Sequence, residues 1–247
     1  MRKTIIEVCC GSVDDVIQSK EAGADRVELN SNLFHGGLTP TVGSLITAKE
    51  LTGMKIMTMI RPREGGFNYT EAEFKTALKD AEILLKNGSD GLVFGFLHED
   101  GTVDAERCRV IKDICGDREL VFHRAIDVVP DWKEAMDILC GIGVTRILTS
   151  GQEPSVYMGM STIAEMVKYA AGRIQILPGA GVRLENVNEV IGKTGCSQVH
   201  VATFKNCYDV STQNNSKIYF GGMLYPPEDR FNMIDGTYIG RICDSVE

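Results

Sequence analysis

Residues 22–29 read AGADRVEL, and this eight-residue phrase decides the fold because variants of it recur along the chain. In each copy a glycine ends a helical stretch and precedes an apolar, strand-like run. Glycine is favoured just after a helix because the backbone turns left-handed there. The phrase therefore predicts seven helix-to-strand junctions, whose later copies are TGMKIMTM (52–59), NGSDGLVF (87–94), CGDRELVF (115–122), IGVTRILT (142–149), AGRIQILP (171–178) and TGCSQVHV (194–201).

The junctions predict eight strands once the N-terminal run TIIEVCC (4–10) is added. Amphipathic segments such as Glu71–Lys86 and Trp132–Leu139 separate the strands, which indicates parallel βαβ units. Eight units in 247 residues predict a single (β/α)₈ TIM barrel over 1–247. An open doubly wound sheet is the alternative, but its first turn would carry a glycine fingerprint, and CCGSVDD (9–15) has only Gly11.

The C-terminal part of the chain is less regular than the rest. Residues 205–232 are rich in Asn, Ser and Gly and contain two prolines, which predicts an extended irregular loop with a short strand at KIYFGG (217–222). Residues 233–247 should then contain the final helix, over Met233–Val246.

Composition and charge exclude several classes of protein. Hydrophobic residues at 43% and charged residues at 24% are typical of a globular chain, and no apolar run approaches the 18 residues of a membrane helix. The N terminus lacks a signal-peptide pattern, so we predict a cytoplasmic protein. Eight cysteines without a CxxC pair argue against a zinc site or a dithiol motif. A net charge of −8 with dispersed basic residues predicts no nucleic-acid partner and favours a small molecule or an ion, and the lack of a long apolar run predicts no membrane partner.

Polar side chains on the inward phase of the strands are the candidates for chemistry, because a barrel core otherwise holds aliphatic residues and the strand C-termini carry the active site. Counting alternate residues back from each strand end selects two glutamates, an arginine and two histidines among others. The selected residues are Glu7, Cys9, Glu28, Asn30, Met57, Met59, Arg61, His123, Asp127, Ser150, Gln175 and His200.

Glu7 and Glu28 are expected on adjacent strands, where the two carboxylates would repel unless Arg61 or a metal ion compensates. Buried charges cost several kcal/mol unless they pair or face a wet pocket. One interpretation is therefore a catalytic acid/base or ion-binding group formed by Glu7, Glu28, His123 and Asp127. The other is a buried salt-bridge network that only fixes strand register.

Glycine-rich turns after three strands are candidate anion sites, since bare backbone amides can hold an anion. They are RPREGG (61–66), TSGQ (149–152) and PGAGVR (178–183). The predicted anion-binding residues are Arg61, Ser150, Gly151, Gly179, Gly181, Arg183 and His200. This pattern supports the hypothesis that the protein is an isomerase, lyase or hydrolase acting on a small anionic metabolite.

Several motifs together resemble the CutC copper-homeostasis family over Ile6 to about His200. The motifs, in chain order, are IEVCCGSVDDVIQSKEAGADRVELN (6–30), HGGLTPTVG (35–43), MIRPREGGFNYTEAEF (59–74), DGLVFGFLHEDGTVD (90–104), VFHRAIDV (121–128), RILTSGQ (146–152) and PGAGVR (178–183).

The resemblance implies a cytoplasmic TIM barrel, usually a homo-oligomer, that binds Cu(I) in copper homeostasis. Cys9 matches the cysteine at the end of the first strand, which implies that Cys9 is the metal ligand. Some relatives have a second cysteine at the end of strand two, where this chain has Asn30. Soft sulfur ligands suit Cu(I), and an amide is a poor substitute. Three hypotheses therefore stay open: a copper-binding protein, an enzyme for a small anion, and a barrel kept for interaction or assembly.

Overall fold

The computed structural model describes residues 4–221 and 227–246, and it confirms the predicted TIM barrel. Eight parallel strands pair in the order β7-β6-β5-β4-β3-β2-β1-β8. The barrel is nearly closed, and its seam lies between β7 and β8, where Gln198 Nε2 donates to Gln175 Oε1. The strands are β1 (Ile5–Cys10), β2 (Arg26–Leu29), β3 (Ile56–Met59), β4 (Gly91–Phe94), β5 (Glu119–Phe122), β6 (Arg146–Thr149), β7 (Gln175–Pro178) and β8 (Gln198–Val201).

Helices alternate with these strands and cover the barrel. They are α1 (Val13–Glu21), α2 (Val42–Thr52), α3 (Glu71–Lys86), α4 (Ala105–Cys115), α5 (Trp132–Ile142), α6 (Val156–Ala170), α7 (Val187–Thr194) and α8 (Gly236–Ser245). Within residues 4–221 and 227–246, no helix combines the length and the apolar character that crossing a membrane requires.

The junction glycines behave as the recurring phrase predicts. All seven have a positive φ, between 60° and 102°, which is the backbone region that glycine adopts without strain. Each of strands β2 to β8 occupies the last four residues of its phrase. A local helix stop thus sets where every strand after the first begins.

The C-terminal region differs from the sequence prediction. Residues 204–208 and 230–234 form an antiparallel hairpin, β9 (Phe204–Tyr208) and β10 (Arg230–Ile234), mostly within the segment 205–232 that was expected to be irregular. No strand forms at 217–221, and residue 222 lies outside the described residues. The hairpin was missed because its two strands are short and largely exposed, and because its paired residues are more than twenty positions apart in the chain.

The final helix begins later than predicted, at Gly236 rather than Met233. Met233 and Ile234 belong to β10, and Ile234 N donates to Asp15 Oδ1 on α1 at 2.7 Å. The Asp235 side chain then accepts from Tyr238 N at 3.1 Å and so caps the helix.

The interior of the barrel is divided into an apolar side and a polar side. Strands β3 to β7 contribute a buried apolar cluster of Met57, Met59, Val93, Val121, Leu148 and Leu177. Strands β1, β2 and β8 contribute buried polar side chains instead, among them Glu7, Glu28 and His200. Most buried ionisable side chains of the strands therefore lie on three adjacent strands, and Arg146 on β6 is the exception.

Candidate functional site

Strand register brings three potential metal ligands together at the polar side of the barrel. Cys9 on β1 pairs with Glu28 on β2, and Glu7 on β1 pairs with His200 on β8. Cys9, Glu28 and His200 each offer one ligand atom, and these atoms lie within 4.8 Å of one another. Glu28 and His200 are buried, and Cys9 is partly buried. We call these three residues the Cys-Glu-His cluster.

Glu7 holds the His200 side chain of this cluster in place. Its Oε2 accepts from Arg26 Nε, and its Oε1 lies 2.8 Å from His200 Nδ1. Burial opposes ionisation of Glu7, but the Arg26 guanidinium and the His200 hydrogen bond outweigh it and hold its pKa well below the usual range. Glu7 is therefore a fixed carboxylate that accepts from Nδ1, which leaves His200 Nε2 as the ring nitrogen available to a ligand.

The charge state of His200 follows from its neighbours. Burial alone would lower its pKa, but the Glu28 charge and the hydrogen bonds with Cys9 and Glu7 raise the pKa well above the usual value. The raised pKa favours the imidazolium form of His200. A metal ion that binds its Nε2 must displace a proton.

Cys9 and Glu28 share a polar contact with Asn30. Asn30 Nδ2 donates to Glu28 Oε1 at 2.9 Å and lies 3.6 Å from Cys9 Sγ. Burial raises the pKa of the Cys9 thiol to about 11, and burial likewise raises the pKa of Glu28. Glu28 Oε2 is buried and has no hydrogen-bond partner. The cluster therefore holds a neutral thiol and a free carboxyl oxygen.

Arg61 lies across the mouth and does not pair with either glutamate, contrary to the expectation that it compensates their charge. Its Nη1 donates to the carbonyls of His35 and Gly37, and its Nη2 donates to that of Gly65, each at 2.9 Å. The Nε atom is buried without a partner. The guanidinium of Arg61 points towards the loops because three backbone carbonyls there accept its hydrogen bonds. The negative charge of Glu7 is compensated by Arg26 instead.

His123 follows β5 and presents one free ring nitrogen. Its Nδ1 accepts from Ala125 N at 3.1 Å, and its Nε2 is buried without a partner. Burial, followed by the Arg61 charge, lowers its pKa to about 3, so the ring is neutral near pH 7. The ring packs against Phe67 with centroids 4.7 Å apart.

A cavity of about 370 Å³ opens at the C-terminal ends of the strands and joins these groups. Seven sequence-predicted residues line it, namely Cys9, Glu28, Arg61, His123, Gly181, Arg183 and His200. Phe67, Arg124 and Ala180 also line it but were missed. Phe67 and Ala180 lie in loops and Arg124 begins a short 3₁₀ helix, and no periodic pattern predicts which side chains turn inward there.

Comparison with known proteins assigns the family. The family model described as "CutC family" matches residues 4–205. The chain belongs to the CutC family. A CutC family protein of Treponema denticola is 52% identical over 246 residues, covering all of both chains. The human "Copper homeostasis protein cutC homolog" is 34% identical and covers 95% of this chain and 86% of its own length.

Solved structures agree with this assignment. The crystal structure of CutC from Streptococcus agalactiae matches with a TM-score of 0.77 and 34% identity, covering 81% of this chain and 98% of that chain. A structure titled "QR15, an Aldolase" matches with a TM-score of 0.60 at 19% identity, covering 81% of this chain and 90% of that chain. The second likeness shows the barrel fold alone.

Five predicted site residues do not line the cavity of this CutC chain, and one of them, Glu7, holds His200 as described above. Asp127 accepts from Thr149 Oγ1 and from the backbone N–H groups of Ser150 and Gln152. It therefore fastens the loop after β6, and the structure does not bring it to the other predicted catalytic groups.

The remaining three serve packing and loop geometry. Ser150 Oγ donates to Asp127 or Glu153 O, and Gly151 lies against the backbone of α6, where a Cβ would come within 2.4 Å of Gly159 O. A Cβ on Gly179 would lie 2.7 Å from Leu148 Cδ1 and 3.4 Å from His200 Cβ. None of the three presents its backbone amide to the cavity lining.

Proposed function

We propose that this protein is a cytoplasmic copper-homeostasis protein that binds Cu(I) at the barrel mouth through Cys9 Sγ and His200 Nε2. The observation that carries the proposal is the convergence of a thiol, an imidazole and a carboxylate within 4.8 Å at the ends of three strands. Membership of the CutC family, which includes the human copper homeostasis protein cutC homolog, is consistent with copper.

The donor set fits copper better than a hard cation. Thiolate sulfur selects Cu(I), and imidazole nitrogen also suits copper, whereas Mg²⁺ and Ca²⁺ require oxygen ligands. Met59 lines the same cavity, and its thioether sulfur is a polarisable donor of the kind that suits Cu(I). Asn30 replaces the second cysteine of some relatives, so the second ligand must come from another residue, and His200 is the nitrogen donor of the cluster.

Glu7 gives His200 the support that metal-binding histidines normally have. A ligating imidazole usually donates its other N–H to a carboxylate, which fixes the tautomer and strengthens the ligand. Glu7 Oε1 occupies this position 2.8 Å from Nδ1 and is itself held by Arg26. The metal position therefore has a preorganised support even without a second thiol.

Acid/base catalysis is not favoured by the same geometry. Glu7 is committed to Arg26 and His200, and Asp127 is committed to the loop after β6. His123, with a pKa of about 3, is a weak base near neutral pH. The enzyme hypothesis therefore loses three of its four predicted catalytic groups.

The cytoplasmic part of the proposal is supported by the cysteines. All eight are free thiols, as expected in a reducing compartment. We extend the proposal to a homo-oligomer, as the family resemblance implies. Light scattering on the purified protein tests this part, and a monomer at micromolar concentration would contradict it.

The decisive experiment is anaerobic competition for Cu(I) with a chromogenic chelator. We expect Cys9→Ser to weaken the affinity by roughly tenfold or more, the scale on which even supporting residues act. Cys10→Ala is the matched control, because the neighbouring thiol lies in the buried layer beside Ser19 and outside the cluster. Unchanged affinity in Cys9→Ser would overturn the proposal.

A further inference from the structure

Three of the buried polar atoms that lack hydrogen-bond partners belong to residues that line the cavity at the barrel mouth. They are Glu28 Oε2, Arg61 Nε and His123 Nε2. Their side chains line the same cavity, and the residues are only 3%, 7% and 4% exposed. An unsatisfied buried polar atom costs about 1–3 kcal/mol, so such atoms are normally paired. Their concentration around one cavity indicates a site whose partner is a ligand.

Two of these atoms are hydrogen-bond donors. Arginine Nε always carries a hydrogen. The neutral His123 ring accepts the Ala125 N–H at Nδ1, so its hydrogen is on Nε2. Both donors are held rigidly, since the other guanidinium nitrogens of Arg61 bind the carbonyls of His35, Gly37 and Gly65. The pair is therefore preorganised for an acceptor.

Phe67 connects the two donors and forms an apolar wall. The Arg61 guanidinium carbon lies 5.5 Å from the Phe67 ring centroid, and the His123 ring centroid lies 4.7 Å from it. Met59 and Leu148 extend the apolar lining. A ligand that fits this surface has polar oxygens at one end and a short carbon skeleton beside them.

The mouth carries positive charge in a chain of net charge −8. Arg61, Arg124 and Arg183 line the cavity, and only Arg124 has a carboxylate partner in this part of the structure, Asp127 at 2.8 Å. Arg61 is balanced only by neutral carbonyls. This charge distribution favours an anionic ligand.

We propose that the cavity binds a small hydroxycarboxylate, whose carboxylate accepts from Arg61 Nε and His123 Nε2 and whose hydroxyl donates to Glu28 Oε2. The two unpartnered donors, Arg61 Nε and His123 Nε2, match the two oxygens of a carboxylate. The unpartnered acceptor, Glu28 Oε2, requires a hydrogen-bond donor on the same ligand. A phosphate has more oxygens than these donors satisfy, and no lysine is among the described residues that line the cavity. The volume of about 370 Å³ is within the range of small-molecule sites, about 300–1,000 Å³.

This inference goes beyond copper binding and does not require the metal. Arg61 follows β3 and His123 follows β5, whereas the Cys-Glu-His cluster lies on β1, β2 and β8. Glu28 is common to both, so a bound hydroxycarboxylate lies next to the proposed copper position. Tests on metal-free protein therefore separate failure of this inference from failure of the copper proposal.

The test is isothermal titration of chelator-treated protein with glycolate, lactate, glycerate and malate, alongside propionate and inorganic phosphate. We expect saturable binding of at least one hydroxycarboxylate, tighter than that of propionate. His123→Asn should weaken this binding by about 10- to 100-fold, the equivalent of one hydrogen bond to a charged group. An Asn side chain still accepts from Ala125 N–H, so the variant retains the local cap while losing Nε2.

His98→Asn is the matched control, because His98 is exposed and does not line the cavity. It should leave the affinity within twofold. Arg61→Lys, checked for folding by thermal melting, should also weaken binding. Absence of saturable binding by every hydroxycarboxylate, equal binding of propionate, binding of phosphate alone, or an unchanged affinity in a folded His123→Asn protein would each overturn the inference.

Discussion

His200 Nδ1 lies 2.8 Å from Glu7 Oε1 across the paired strands β8 and β1, and Arg26 holds the other oxygen of the same carboxylate. This relationship turns a buried glutamate into a support for the imidazole and aligns His200 with Cys9 and Glu28. It also links β8 to β1, so the candidate site and the pairing of these two strands depend on the same side chains.

Replacing Glu7 by Gln should reduce both stability and copper affinity. The neutral amide leaves Arg26 buried beside no opposite charge, and breaking a buried ion pair costs about 3–5 kcal/mol. Copper affinity should fall by about 10- to 100-fold, because the support of His200 is weakened. Urea unfolding and chelator competition measure the two effects. Glu82→Gln, which breaks an exposed pair with Lys79, should change stability by about 0.5 kcal/mol or less, and equal losses in both variants would contradict the assignment.

Replacing Asn30 by Cys should strengthen Cu(I) binding. Asn30 Nδ2 lies 3.6 Å from Cys9 Sγ, so a thiol on this residue would be placed beside the existing one. A second soft ligand should raise the affinity at least tenfold in the anaerobic competition assay. Asn30→Ala removes the same amide without adding sulfur and is the control. A gain that Asn30→Ala reproduces would show that loss of the amide, rather than the thiol, is responsible.

Stability should fall as the pH is lowered from about 6.5 towards 3, in part because of His123. Its folded pKa is about 3 and its ordinary value is 6.5, so in this window the unfolded chain binds a proton that the folded protein excludes. The contribution is complete above pH 6.5 and is lost at up to about 1.4 kcal/mol per pH unit below it. Urea unfolding of His123→Asn across this range should show a shallower decline. An identical slope in the variant would mean that His123 is protonated in the folded state.

Two helix glycines should respond to alanine with opposite signs. A Cβ on Gly159 in α6 would come within 1.9 Å of Ser150 O, and overpacking of this kind costs about 1–3 kcal/mol. Gly192 in α7 has nothing within 4 Å of its Cβ position, so Gly192→Ala should stabilise by about 0.5–1 kcal/mol through helix propensity. Thermal or urea unfolding distinguishes them. A neutral Gly159→Ala would show that the contact of α6 with the loop after β6 is not tight.

Much of the candidate site was predictable because strand periodicity is local. Parallel strands place alternate residues on one face, so Cys9, Glu28 and His200 could be assigned to the interior before any contact was known. The alternating pattern does not predict where a long side chain points once it lies beyond the end of a strand. Arg61 was one of two candidates, with a metal ion, to compensate the glutamates, but it turns towards three loop carbonyls. Arg26, at the start of β2, compensates Glu7 instead.

The sequence by itself determined the barrel. Each of seven glycines marks the end of a helix, and the next strand begins three residues after that glycine. It also determined which residue types occupy the inward phase of β1, β2 and β8. Only the tertiary structure decided which of these groups pair and which stay free. Hydrogen-bond and charge partners come from residues distant in the chain, as Glu7 and His200 do across 193 positions. For the same reason, the sequence did not predict the β9–β10 hairpin or the unpartnered donors Arg61 Nε and His123 Nε2, which depend on the tertiary structure.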